Sequence, residues 1–144
     1  MIVLDTNVIT VLASAEPHED DQVVLDWVTN HSAGEIWVTT ISRAELAYGV
    51  ALLPAGRRQL RLSAAVDRFF DLMEPFTIPF DSGAAQAYGG IAARRRKAGN
   101  PISSMDAQIA ACAMTARAKV ATRDLTGFSS VGIGLVNPWD RRTW

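Results

Sequence analysis

The chain has 144 residues, 49% of them hydrophobic and 20% charged, which fits one compact globular domain spanning residues 1–144 and excludes an intrinsically disordered chain. Fourteen basic residues against fifteen acidic ones leave a formal net charge of −1, so no global positive field is present to drive tight, sequence-independent nucleic-acid binding. A single cysteine, Cys112, excludes an internal disulfide and fits a reducing compartment, while His18 and His31 are too few and too isolated for a zinc site or a serine or cysteine triad.

Ile2-Val3-Leu4 reads as a buried parallel strand that stops at Asp5, and Thr6 and Asn7 then favour a helix N-cap. A short helix is expected from Thr6 to Ala15, ending before Pro17. Asp20 and Asp21 open a second helical stretch in which Val24, Trp27, Val28 and His31 share a face. Gly34 closes it, and Glu35 to Thr40 reads as the second strand. Ser42-Arg43-Ala44-Glu45 has capping-box spacing with Ser42 as N-cap, and opens a helix that carries Leu46, Val50 and Leu53 and stops near Pro54.

A longer helix is expected from about Arg57 to Glu74, with Leu62, Val66, Phe69, Phe70 and Met73 as its apolar stripe. Pro75 to Phe80 reads as a short edge or irregular strand because of its prolines. Asp81-Ser82 starts another helix that runs to the basic cluster Arg94-Arg95-Arg96-Lys97 and ends at Gly99-Asn100-Pro101. Ser103-Ser104-Met105-Asp106 begins a further helix to about Arg117, in which Cys112 is a packed thiol. Lys119 to Thr122 is the fourth strand, and Val131 to Val136 a short fifth one before Asn137-Pro138-Trp139. Strands separated by helices, without hairpin signals between the first four, imply an α/β fold: a parallel sheet with helices on both faces. The N-terminus lacks a basic segment ahead of an apolar run, and no run approaches the roughly 18 apolar residues of a membrane span, so a cytoplasmic protein is expected.

Four acids stand at informative places. Asp5 and Asp124 lie at strand ends, and in open parallel sheets that edge is where ligands bind. Asp106 shares a helix face with Ile109, Ala110 and Ala113, and Glu45 with Tyr48, Gly49 and Leu52, which points both carboxylates toward the sheet. Gathered at one edge, four ionised carboxylates would raise each other's pKa unless a cation neutralised them. An all-oxygen set without histidine or thiolate suits Mg²⁺ or Mn²⁺ over zinc. Such a site activates water and stabilises charge on a phosphodiester oxygen, so the reaction class inferred is metal-dependent phosphodiester hydrolysis. Each acid also has a plainer reading: Glu45 and Asp106 as capping-box residues behind Ser42 and Ser103, Asp5 and Asp124 as turn acids.

Met1 to Ile9, Ile41-Ser42-Arg43-Ala44-Glu45-Leu46, Pro101 to Ala111, and Val120-Ala121-Thr122-Arg123-Asp124, in this order, resemble the PIN-domain ribonucleases, and within them the VapC toxins in their FitB-like branch, which Val136-Asn137-Pro138-Trp139 also matches. The resemblance covers nearly the whole chain. It implies a three-layer α/β/α fold with a five-stranded parallel sheet and a Mg²⁺- or Mn²⁺-dependent endoribonuclease that halts translation. The family's metal-site and catalytic acids carry over to Asp5, Glu45, Asp106 and Asp124, with Asn7 and Thr122 as polar groups that hold the acids and water in place. It also implies a homodimer and a small VapB/FitA-like antitoxin that covers the acidic site, often with an arginine, and that makes any DNA contact itself.

The basic runs Arg94 to Lys97 and Arg57, Arg58, Arg61 admit two readings, as contacts to RNA phosphates or as solvated helix faces. Trp27, Trp37 and Tyr48 read as core or partner surface. A competing functional reading is a non-catalytic partner of a DNA-binding antitoxin in a repressor complex. A haloacid-dehalogenase-like phosphatase would need a second Asp where this chain has Asn7, and is set aside.

Overall fold

The computed structural model describes residues 1–14 and 18–144. Its elements are β1 (Ile2–Leu4), α1 (Thr6–Leu12), α2 (Gln22–Thr29), β2 (Ile36–Thr39), α3 (Thr40–Ala51), α4 (Arg57–Met73), β3 (Thr77–Ile78), α5 (Ser82–Lys97), α6 (Ser104–Thr115), β4 (Lys119–Ala121) and β5 (Leu135–Val136). The five strands form one sheet in the order β3-β2-β1-β4-β5, and every pairing is parallel. The expected edge position of the third strand is what the sheet has.

Alternation along β1 divides the molecule into layers. Leu4 packs with Val8, Ile9, Val24, Trp27, Val50, Val66 and Phe70, on the face covered by α1 to α4. Val3 points the other way, onto Ala84, Ile91, Ile109 and Cys112 of α5 and α6. Both faces of a parallel sheet must be covered in this way, and the result is the three-layer α/β/α arrangement. Helix α6 lies deepest: Ala107, Ala110, Ala111 and Ala113 are buried, and their small side chains let it approach α5 and the sheet closely. Cys112 is buried there with its thiol pushed up to about 11 by burial, which keeps it an unreactive core group.

Several expected boundaries move. The first helix ends at Leu12 rather than Ala15; Ala15 and Pro17 lie outside the described residues. The second ends at Thr29, so His31 falls beyond it, yet its Nδ1 still bonds the Trp27 carbonyl at 2.8 Å and its ring lies 4.5 Å from that of Trp27. Residue 40 belongs to α3 and not to the strand. The N-cap of α3 is Thr39, whose hydroxyl accepts from the Ser42 N–H at 3.0 Å, so Ser42 is not the cap but a buried residue inside the helix. Thr39 ends β2 in extended backbone, and its side chain reaches the free amides first. Only Leu135 and Val136 of the expected fifth strand pair with β4. The residues before them turn at Gly132, whose φ of 93° belongs to the left-handed region.

Candidate active site

The sheet reverses direction of growth at β1: β2 and β3 lie on one side, β4 and β5 on the other. The crevice at the carboxyl ends of β1 and β4 is therefore the switch point where parallel sheets bind ligands. Asp5 sits at its floor. It is 5% exposed, it caps α1, and its N–H continues the ladder to the Ala121 carbonyl at 2.9 Å. Its Oδ1 accepts from the Thr6 N–H at 2.7 Å, and its Oδ2 accepts from Asn7 Nδ2 at 2.6 Å and from the Thr122 hydroxyl at 2.7 Å.

Thr122 follows β4 and is fully buried. The same hydroxyl oxygen accepts from Asn7 Nδ2 at 3.2 Å and from the Asp124 N–H at 2.9 Å. Asn7 and Thr122 thus hold one oxygen of the Asp5 carboxylate together. Asp124 lies beyond them on the exposed rim, where its Oδ1 accepts from the Gly127 N–H at 2.8 Å.

Glu45 reaches the crevice from α3. Its Oε2 accepts from the Thr6 hydroxyl at 2.6 Å, so Thr6 joins Asp5 through its backbone to Glu45 through its side chain. Thr6 and Asn7 read from sequence as N-cap residues, but the cap is Asp5, whose carboxylate meets the Thr6 N–H, and the Thr6 hydroxyl is left to bond Glu45. The face shared by Glu45, Tyr48 and Leu52 does not point to the sheet: Tyr48 is 62% and Leu52 66% exposed. The inward positions of α3 are Ser42, Leu46 and Val50, and Glu45 is half-buried at their edge. Asp106 comes from the first turn of α6, where its N–H donates to the Ser103 oxygen at 3.0 Å and its Oδ2 accepts from the same hydroxyl at 2.6 Å.

The electrostatics tie three acids together. The Asp5 carboxyl is pushed up to about 6, first by burial and then by the negative charges of Asp106 and Glu45, while the bonds from Thr122 and Thr6 pull the other way. Among the described residues no three acids form a closed set of metal ligands. Each of Glu45, Asp106 and Asp124 instead carries a hydrogen bond from a neighbouring residue. The donors are all oxygen, and the buried acid is one whose ionisation its neighbours oppose, which is the chemistry that a hard divalent cation fits.

The basic run on α5, open to a phosphate-contact or a solvated-face reading, is divided. Arg94, Arg96 and Lys97 are exposed, whereas Arg95 is buried. Trp27 is core and Tyr48 is surface.

Acids at the switch point of a three-layer parallel sheet define a class of α/β domains, and comparison with known proteins places the chain within it. The model of the PIN domain matches residues 2–133. The chain is 38% identical to the VapC ribonuclease Y4jK of Sinorhizobium fredii, over 97% of this chain and 99% of that one. It is 33% identical to the toxin FitB of Neisseria gonorrhoeae, over 96% and 99%. The solved structure of FitAB bound to an IR36 DNA fragment superposes with a TM-score of 0.84 at 32% identity, covering 97% of this chain and 96% of that one. The chain belongs to the PIN-domain family, among its VapC and FitB toxins.

Proposed function

We propose that the protein is the toxin of a toxin–antitoxin pair, an endoribonuclease that uses Mg²⁺ or Mn²⁺ at Asp5, Glu45, Asp106 and Asp124. The observation that carries this reading is the buried carboxyl of Asp5 at the sheet's switch point, with Glu45 and Asp106 close enough to oppose its ionisation. A divalent ion held by these acids would supply the positive charge that makes a water nucleophilic at neutral pH and stabilises charge on the phosphate oxygens. The chain's own groups do the positioning. Asn7 and Thr122 restrain one Asp5 oxygen and the Thr6 N–H the other, so the carboxylate does not have to be ordered when RNA arrives. Thr6 and Ser103 hold Glu45 and Asp106 in the same manner. Scission itself is hydrolysis: water adds to phosphorus and the ribose oxygen leaves with a proton.

The partner in this reading is a VapB/FitA-like antitoxin, which alone contacts DNA, and the toxin acts in the cytoplasm as a homodimer. Among the described residues no helix is long and apolar enough to cross a membrane. A groove between α3 and α4, lined by Ala47, Val50, Ala51, Leu60 and Val66 with Arg43, Gln59 and Asp67 among its polar residues, gives the antitoxin's C-terminal segment a surface. Leu60, 69% exposed, presents apolar surface at its edge.

Expression of the wild-type chain without antitoxin is expected to arrest growth and fragment cellular RNA, and Asp5→Ala and Asp106→Ala to do neither. Undiminished arrest in both variants overturns the nuclease reading. One observation favours a second reading, a non-catalytic partner in a repressor complex: the acids among the described residues do not form a closed ligand set. On that reading Asp5→Ala behaves as wild type in every assay.

A further inference from the structure

Arg95 is the exception in its own run of four cations. It is 4% exposed, while Arg94, Arg96 and Lys97 face solvent. Burying a guanidinium is costly unless its charge is compensated, yet none of the ion pairs among the described residues includes it. Its partners are backbone carbonyls of the loop after β4. Nη1 donates to the Ser129 carbonyl and, at 3.2 Å, to the Ser129 hydroxyl; Nη2 donates to the Gly127 carbonyl at 3.0 Å. Its Nε is buried without a hydrogen-bond partner among the described residues. A charged side chain has thus been drawn out of water to grip one turn.

That turn holds an acid of the candidate site. The Gly127 whose carbonyl Arg95 takes also donates its N–H to Asp124 Oδ1 at 2.8 Å. The Asp124 N–H in turn donates to Thr122, and Thr122 to Asp5. A Cβ on Gly127 would stand 2.2 Å from Asp124 Oδ2, so a side chain there would push this carboxylate out of its present orientation. Phe128 and Val131, 1% and 2% exposed, pin the same loop into the core.

We propose that Arg95 is a positioning residue: its guanidinium clamps the turn at 127–129, and Gly127 thereby holds Asp124 in one orientation at the sheet edge. This rests on the reading of Asp124 as a metal ligand. The fork of the guanidinium matters because it spans two carbonyls, which a single ammonium does not do in the same geometry.

The test is Mn²⁺ binding to the purified full-length protein, measured by calorimetry without RNA. Asp124→Asn is expected to weaken Mn²⁺ about tenfold, and Arg95→Met and Gly127→Ala each by about tenfold, within the range for residues that orient a metal ligand. In the Asp124→Asn background Arg95→Met is expected to add less than about twofold, because the two act through one carboxylate. The sign is informative. Loss of a cation by itself would tighten Mn²⁺ binding, whereas loss of positioning loosens it. Should Arg95→Met fail to fold, Arg95→Lys keeps the stem and charge without the fork, and a tenfold loss is expected there too. Unchanged or tighter binding in the Arg95 variants, with Asp124→Asn still weakened, overturns the proposal and leaves the metal reading standing; so do fully additive effects. Wild-type affinity in Asp124→Asn overturns the role of Asp124 itself, and the proposal with it.

Discussion

Thr122 donates its hydroxyl hydrogen to Asp5 Oδ2 at 2.7 Å across 117 positions of sequence, and so ties the end of β4 to the end of β1 at the mouth of the sheet. Both residues are buried, and this bond is the largest of the influences that favour the ionised form of Asp5. In Thr122→Val the carboxylate keeps Asn7 but loses its best partner. The Asp5 pKa is expected to rise further, read from the side-chain carboxyl carbon by NMR, and stability to fall by about 1.5–3 kcal/mol, the usual worth of a hydrogen bond to a charged group. An unmoved Asp5 titration would show that the bond is idle.

The raised Asp5 pKa has a stability consequence in the metal-free protein. The folded state holds the proton more tightly, with a pKa of about 6 against 3.8, so this contribution is fully present below about pH 4 and is lost as pH rises through 6. The loss is on the order of 3 kcal/mol, at 1.36 kcal/mol per pKa unit. Asp5→Asn removes the slope. Denaturant unfolding of both proteins from pH 4 to 7.5 is expected to show the wild type losing stability relative to the variant; parallel curves would refute it.

The order of strands and helices was legible because parallel strands buried on both faces leave continuous apolar runs, such as Ile2-Val3-Leu4, bounded by helix starts. Asp5 and Asp124 were legible as strand-end acids for the same reason. The cap of α3 was not. Thr39, Thr40 and Ser42 are all competent caps, and the choice among them depends on where β2 stops pairing, which is a tertiary matter. The exposure of Tyr48 and Leu52 was legible in principle, since Leu46 and Val50 mark a different face of α3 as the buried one. Nothing local distinguishes Arg95 from its cationic neighbours, since its burial is decided by a loop more than thirty residues later.

Ser103 serves α6 as its N-cap and grips the Asp106 carboxylate as well. Ser103→Ala is expected to lower thermal stability by about 1 kcal/mol, the ordinary worth of a cap. RNA cleavage should fall more steeply than that loss of folding explains, because Asp106 is then free to turn. Activity that follows the folded fraction alone would reduce Asp106 to a capping residue.

The groove between α3 and α4 gives a separable prediction for the antitoxin. Leu60 is 69% exposed, so Leu60→Glu is expected to change stability by less than about 0.5 kcal/mol, as surface substitutions usually do. It places a charge against an apolar segment and should weaken antitoxin binding at least tenfold while leaving RNA cleavage intact. Wild-type affinity, measured by titration calorimetry with the cognate antitoxin, would move the partner's binding surface elsewhere.

The most direct measurement is cleavage of labelled RNA by purified wild type, Asp5→Asn and Asp106→Asn, each with Mn²⁺ and with the ion removed by chelation. Cleavage by the wild type with Mn²⁺ alone, and a loss on the order of 10²-fold or more in both variants, is the predicted result for groups that organise the reacting water. Cleavage that survives chelation, or that both variants retain, would contradict it.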